Sequence, residues 1–316
     1  MTQTISEANK GALLKEAWDA GAFMTKEENF VVEGKRMFDQ WYIKAKQLIF
    51  KPNSELIFTK MAQEHRGSFF IVAEEFICED LNAPGSIVWE HDDVPKQAAA
   101  SGQAGSGVDA TSDGQDGGPG EQGNIGAKGE KGISAPDLTI IVEKVPGSGT
   151  VIDFSGQQGG QGGEGQKGGK GGHGGTGKQA SSSLVDCKSG AGDGGHGGAG
   201  GNGGPGGTGG DGGNGGKITI ISPYEIAESI NQKFRVIISG GQGGEGGIGG
   251  TGGDGGTGGK GGDDDAPYCR GNGKDGNTGA TGNSGNSGGR GEKGRDGDMF
   301  HGTTTKEIFD KVIGNV

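Results

Sequence analysis

From residue 156 the chain reads GQQGGQGGEGQKGGKGGHGGTG, with glycine at every third position and often at a second position of the triplet. Glycine loses more backbone freedom on ordering than any other residue, so the run is a cost unless a neighbour needs the missing side chain. The pattern asks for backbones that approach closely. In-register glycines run from Gly114 to Gly132, Gly156 to Gly177, Gly192 to Gly216, Gly240 to Gly261 and Gly273 to Gly297. An extended left-handed helix of the polyproline II type has three residues per turn and no internal hydrogen bonds, so each triplet position marks one long face. Its unpaired backbone groups then need water or a neighbouring rod. A tract of about 24 residues would span roughly 75 Å.

Other period-three folds fit less well. Collagen wants imino acids and three chains, yet only Pro119 and Pro205 lie within the tracts. A calcium-binding β-roll wants an apolar residue after each aspartate, whereas Asp211 and Asp254 are followed by Gly-Gly. A single-chain bundle of about five polyglycine II helices remains. The third and fourth tracts carry two bare faces and are expected inside the bundle; the first and fifth carry one and are expected at its edges.

With 78 glycines in 316 residues and a hydrophobic fraction of 28%, only part of the chain can build an ordinary core. Residues 1–96 have the texture of a globular α+β unit: Ala12, Leu13, Ala17 and Trp18 suggest one amphipathic helix, and apolar runs at 47–50, 55–59, 69–78 and 86–90 suggest strands. Residues 97–113 have linker composition. Within 114–302, β-runs at 138–154 and 218–238 would anchor the rods. The stretches 178–191 and 263–272 lack periodicity and read as tip loops. In 303–316, Thr304 and Glu307 have capping-box spacing, Ile308, Phe309, Val312 and Ile313 form one helical face, and Gly314 supplies the stop. The expected fold class is mainly β and irregular: a small β-rich N-terminal domain, the glycine bundle with short β anchors, and a short C-terminal helix.

A formal charge of −12 argues against a nucleic acid partner, which needs a basic surface. No apolar run reaches the length of a membrane span, and the first 25 residues lack the apolar stretch of a secretory signal. No cofactor is expected, and no enzyme activity: the five histidines are scattered, no serine sits in a nucleophile elbow, and the glycines do not lead into a phosphate-binding helix. His173 and His196 lie at equal distance from the centre of loop 178–191 and are the weak metal candidates. Cys187 and Cys269 fall in loops placed at one end, where they either pair or stay free thiols; Cys78 reads as core.

A plank of such rods with loops at its end resembles the glycine-rich adhesins that cap the tail fibres of T-even-like bacteriophages. The resemblance covers about residues 114–297 and rests on repeat texture. It implies a fibre or filament partner for the N-terminal domain and a cell-surface protein or glycan receptor for the loops. Recognition would fall to Leu184, Val185, Asp186, Lys188, Asp263, Asp264, Asp265, Pro267, Tyr268 and Arg270. It places the protein on a virion tail fibre or cell exterior by a route independent of a signal peptide, or otherwise in the cytoplasm. A filament subunit that self-associates and an ice-binding protein are the alternatives.

Overall fold

A computed structural model describes residues 2–65, 67–93, 102–147, 149–224 and 232–314. The strands are β1 (Gln3–Thr4), β2 (Glu27–Val32), β3 (Lys35–Phe38), β4 (Tyr42–Phe50), β5 (Glu55–Phe58), β6 (Ser68–Cys78), β7 (Ser86–Trp89), β8 (Asp137–Lys144), β9 (Thr150–Asp153), β10 (Ser181–Ser182), β11 (Cys187–Ser189), β12 (Ile218–Pro223), β13 (Phe234–Ile237) and β14 (Met299–Thr304). Among the described residues the helices α1 (Glu7–Gly21), α2 (Lys60–His65) and α3 (Lys306–Ile313) accompany them. Apart from the β10–β11 hairpin, they form a seven-stranded sheet, β1-β14-β12-β8-β6-β4-β2, and a five-stranded sheet, β13-β9-β7-β5-β3. Every pairing within both sheets is parallel. From β2 to β9 the chain changes sheet at each step.

This corrects the expected fold class. The base is no small N-terminal β domain carrying a bundle; it is a substantial two-sheet unit that recruits β8, β9, β12, β13 and β14 from between and beyond the glycine tracts. The runs 138–154 and 218–238 each divide their two strands between the sheets, and residues 225–231 of the second lie outside the described residues.

Apolar side chains hold the base together. Between the sheets Phe58 stacks on Phe69 with centroids 4.2 Å apart, Phe50 stacks on Phe76, and Phe154 and Phe234 meet Phe69 and Phe76 edge-on. On its other face the seven-stranded sheet presents Tyr42, Phe70, Val72, Ile141 and Ile221 to Leu14 and Ala17 of α1 and to Phe309, Val312 and Ile313 of α3. A parallel sheet covered on both faces needs apolar residues at consecutive positions, which is why β6 reads FFIVA. The buried face of α1 is Lys10, Leu14, Ala17 and Gly21, so Trp18, expected inward, stands 53% exposed. The buried Tyr42 hydroxyl donates to the Ala17 carbonyl, and burial raises its pKa well above the usual phenol value. The cap of α3 lies one residue later than expected: Thr305 accepts from Ile308 N–H, Thr304 ends β14, and Gly314 stops the helix in the left-handed region at φ 72°.

Beyond the sheets the glycine tracts lie side by side, joined by backbone hydrogen bonds at every third residue. Gly117, Gly120 and Gly123 of the first tract donate to His196, Ala199 and Asn202 of the third, whose Gly194, Gly197 and Gly200 donate to Lys274, Asn277 and Ala280 of the fifth. These three rods run parallel as one layer and continue directly into β8, β12 and β14. Likewise Gly159, Gly162 and Gly165 of the second tract donate to Gln242, Glu245 and Ile248 of the fourth, forming a second layer that follows β9 and β13. Antiparallel bonds tie the layers, as from Gly160 to Glu130, Gly201 to Gly169, Gly244 to Gly210 and Gly276 to Gly259.

Two expectations about the rods need correction. Of the segment 97–113, the described part is no linker: Ala104, Gly107 and Ala110 donate to Lys167, Lys170 and His173, making a leading rod beside the second tract. The fourth tract, expected inside, is outermost in its layer among the described residues, although it has rods on two sides.

The glycine pattern follows from these neighbours. A Cβ at Gly207 or Gly210 would fall less than 3.0 Å from the carbonyl oxygen of Ala127 or Glu130, and one at Gly206 or Gly209 would meet Gly247 or Gly244 in the same way. Each bare stripe lies against a row of backbone carbonyls on an adjoining rod. In the fifth tract the second stripe is replaced by side chains that turn onto the fourth. Asp275 and Asp296 accept from Gly261 and Gly240 N–H at 2.8 Å, and Arg290 Nε donates to the Gly243 carbonyl.

Candidate functional site

The second and third tracts meet at loop 178–191 and the fourth and fifth at loop 263–272, so both turns lie at the end of the rods opposite the base. A disulfide between Cys187 and Cys269 joins them. Below it Asp265 accepts from the Ser182 N–H and hydroxyl at 2.8 and 2.6 Å, Ala180 N–H donates to the Asp263 carbonyl, and Gln179 Oε1 accepts from Asp263 N–H. Asp265 is thereby a brace between the loops. Its carboxylate is committed internally, unlike the free contact expected of it.

The remaining predicted residues surround the disulfide. Asp186 and Lys188 flank Cys187; Tyr268 and Arg270 flank Cys269. Short strands β10 and β11, which the sequence did not suggest, lift a turn whose Ser183 N–H and hydroxyl both donate to the Asp186 carbonyl. Leu184 and Val185 stand at its apex, 91% and 82% exposed, and Tyr268 on the other loop is 47% exposed. Asp186 Oδ1 accepts from Cys187 N–H, Asp264 N–H donates to Asn272, and Arg270 Nε donates to the Pro267 carbonyl. These bonds shape the turn and leave the aliphatic pair facing solvent.

His173 and His196 do not come together. His173 Nδ1 lies 2.6 Å from Thr257 Oγ1 on the outer face of the second and fourth tracts, whereas His196 Nδ1 accepts from Asn277 N–H on the outer face of the other layer. Among the described residues no group of three or more His, Cys, Asp or Glu is placed to hold a metal ion.

A recurring feature of the outer faces escaped the sequence reading. At several levels of each layer an outward residue's N–H is taken by a short side-chain acceptor on the parallel neighbour. Asp116 accepts from His196 N–H, Asn202 from Asn283, Asp211 from Glu292 and Asn214 from Arg295. The available signal was the return of Asp, Asn, Ser or His at the decorated triplet position, since these side chains readily hydrogen-bond nearby backbone. Across the layers, Gln157 and Gln166 of the second tract accept through their longer side chains from the Ile133 and Asn124 N–H groups of the antiparallel first tract.

Among the described residues no helix is long and apolar enough to cross a membrane. No protein-family model and no curated protein matches the chain. Among solved structures it is similar to a springtail antifreeze protein from Granisotoma rainieri, a nine polyproline type II helical bundle. The identity is 28%, covering 50% of this chain and 89% of that one, with a TM-score of 0.09, too low to carry an argument about fold or function.

Proposed function

We propose that this protein is a non-enzymatic display scaffold whose two-loop tip binds a partner at a cell surface, in the manner of a fibre-tip adhesin. The observation that carries the reading is the apex: Leu184 and Val185 are almost fully exposed on a short turn stapled to a second loop at the end of laddered rods. Exposed aliphatic side chains on a braced turn lose little further freedom on binding, which favours affinity. Tyr268 and Arg270 beside them are residue types enriched among interface anchors. The base then serves as the mount, and the rods carry the tip away from it.

The filament alternative has less support, because lateral growth needs open edges. Asp275 and Asp296 take the Gly261 and Gly240 N–H groups and Arg290 the Gly243 carbonyl at the edge of the fourth tract, and Arg36 of the outer strand β3 donates to the Val31 carbonyl of β2, so these edges are covered at some points. Ice binding wants a uniform, weakly polar face. The outer row of the second tract instead runs Gln158, Gln161, Glu164, Lys167, Lys170 and His173.

The test is binding of labelled full-length protein to a panel of intact cells by flow cytometry. Replacing both aliphatics (Leu184→Ser with Val185→Ser) is expected to weaken binding about tenfold or more, since truncated anchors typically cost 2 kcal/mol or more. Binding unchanged by the double substitution would sink the reading.

A further inference from the structure

We propose that the tip is gated by redox state: the Cys187–Cys269 bond orders the apex, and a dithiol reductant disarms it while the rods and base stay folded. The inference rests on the display reading and concerns the regulation of that same surface.

The cross-loop hydrogen bonds all lie below the apex. Gln179, Ala180 and Ser182 bond to Asp263 and Asp265, but from Ser183 to Lys188 the disulfide is the cross-loop tie found among the described residues. The two sulfurs sit in unlike surroundings. Cys187 is exposed, whereas Cys269 is 3% exposed beneath it. An incoming thiolate therefore attacks the Cys187 sulfur and expels Cys269 as thiolate. The second thiol of the reductant then resolves the mixed disulfide at Cys187, so the dithiol is oxidised to its own disulfide and two protons end on the two protein thiols.

The reduced state also has a place for its new donor. The carbonyl oxygens of Ser181 and Ser189 lie 3.2 and 3.4 Å from Cys269 Sγ, so a protonated Cys269 donates to the hairpin that it formerly held covalently. Reduction thus keeps Cys269 buried and satisfied while Cys187 departs with the turn. The third cysteine, Cys78, is buried at the end of β6 in the base, outside this exchange.

The experiment compares oxidised protein, protein reduced with dithiothreitol and alkylated, and the double variant Cys187→Ser with Cys269→Ser. Amide hydrogen exchange and cell binding are read on each. On loss of the bond, exchange at 183–188 is expected to accelerate about tenfold or more while Gly194 to Gly216 and the base strands keep their protection. Binding should fall in parallel, and reoxidation of reduced, unalkylated protein should restore both. Unchanged exchange at the apex, with binding retained in the reduced protein and the double variant, overturns the gate and leaves the display reading intact. An apex that loosens in a protein binding no cell in either state overturns the display reading and upholds the conformational gate.

Discussion

In the base, neighbouring segments are held together by the side chains between them; in the rods they are held together chiefly by backbone that lies bare where a neighbour comes close. Phe58, Phe69, Phe76 and Phe154 fill the space between two sheets, and each fully buried aromatic contributes roughly 1.5–3 kcal/mol by leaving water. Between the rods lie mainly glycine stripes and backbone hydrogen bonds, each worth about 0.5–1.5 kcal/mol net, with side-chain acceptors such as Asp116, Asp211 and Asp275 added at some levels. Yet the two regions share columns: β8, β12 and β14 are the continuations of the first, third and fifth tracts, in the same lateral order. A single ladder can thus pass from a region organised by burial to one organised by backbone alone. The condition is that the chain carries glycine wherever a neighbour's carbonyl would meet a Cβ.

The comparison breaks first at its strongest point. Phe69→Ala opens a cavity under the stacked pair and is expected to cost about 3–5 kcal/mol, read as a shift in urea midpoint. If the base tolerates it at under about 1 kcal/mol, burial is not what holds the sheets.

Adjacent glycines in the fifth tract sharpen the other half. A Cβ at Gly288 would strike the Gly207 carbonyl, whereas one at Gly289 meets nothing within 4 Å. Gly288→Ala is expected to destabilise by about 1–3 kcal/mol, in the range of overpacked cores, and to raise hydrogen exchange at Gly207. Gly289→Ala should be neutral or stabilising by about 0.4–1 kcal/mol, because alanine restricts the unfolded chain. Equal effects at the two positions would mean that the stripes are not set by neighbouring rods.

The smallest effect belongs to pH. His301 on β14 lies 3.5 Å from Ser222 Oγ, and burial lowers its pKa below the ordinary value. The unfolded chain then takes the proton first as pH drops. Stability is whole above about 6.5, declines as pH falls towards the lowered folded value, and levels beneath it. Urea midpoints at pH 7.5 and 5.5 should differ in the native protein and converge in His301→Gln. A slope that persists in the variant assigns the effect elsewhere.

Local patterns were legible where a segment's own period reports its surroundings. The apolar runs at 47–50, 55–59, 69–78 and 86–90 all fall within or along β4, β5, β6 and β7. Strands β2 and β3 were missed because EENFVV and KRMF, at the outer edge of the sheets, carry as many polar as apolar residues. The leading rod was missed because it has no glycine period: Ala104 and Ala110 stand at the positions that donate to the second tract, and of Gly105 and Gly107 only Gly107 would put a Cβ against neighbouring backbone, leaving a stretch that reads as linker. At the tip the ten predicted residues do lie on loops that the disulfide joins. The division of labour among them, with Asp265 as brace and Leu184 and Val185 as apex, depends on contacts between distant loops that no local period encodes.

By itself the sequence determined where the chain must shed side chains: each bare stripe is written into the triplets, because a Cβ cannot occupy the space of a carbonyl. Only the tertiary structure decided which rods lie against which stripes, that successive strands alternate between two parallel sheets, and that the base draws on the whole length of the chain. The physical reason is that glycine ladders are interchangeable. One bare backbone accepts any other, so partner and register come from the strands and side chains at the rod ends, whose pairings span scores of residues.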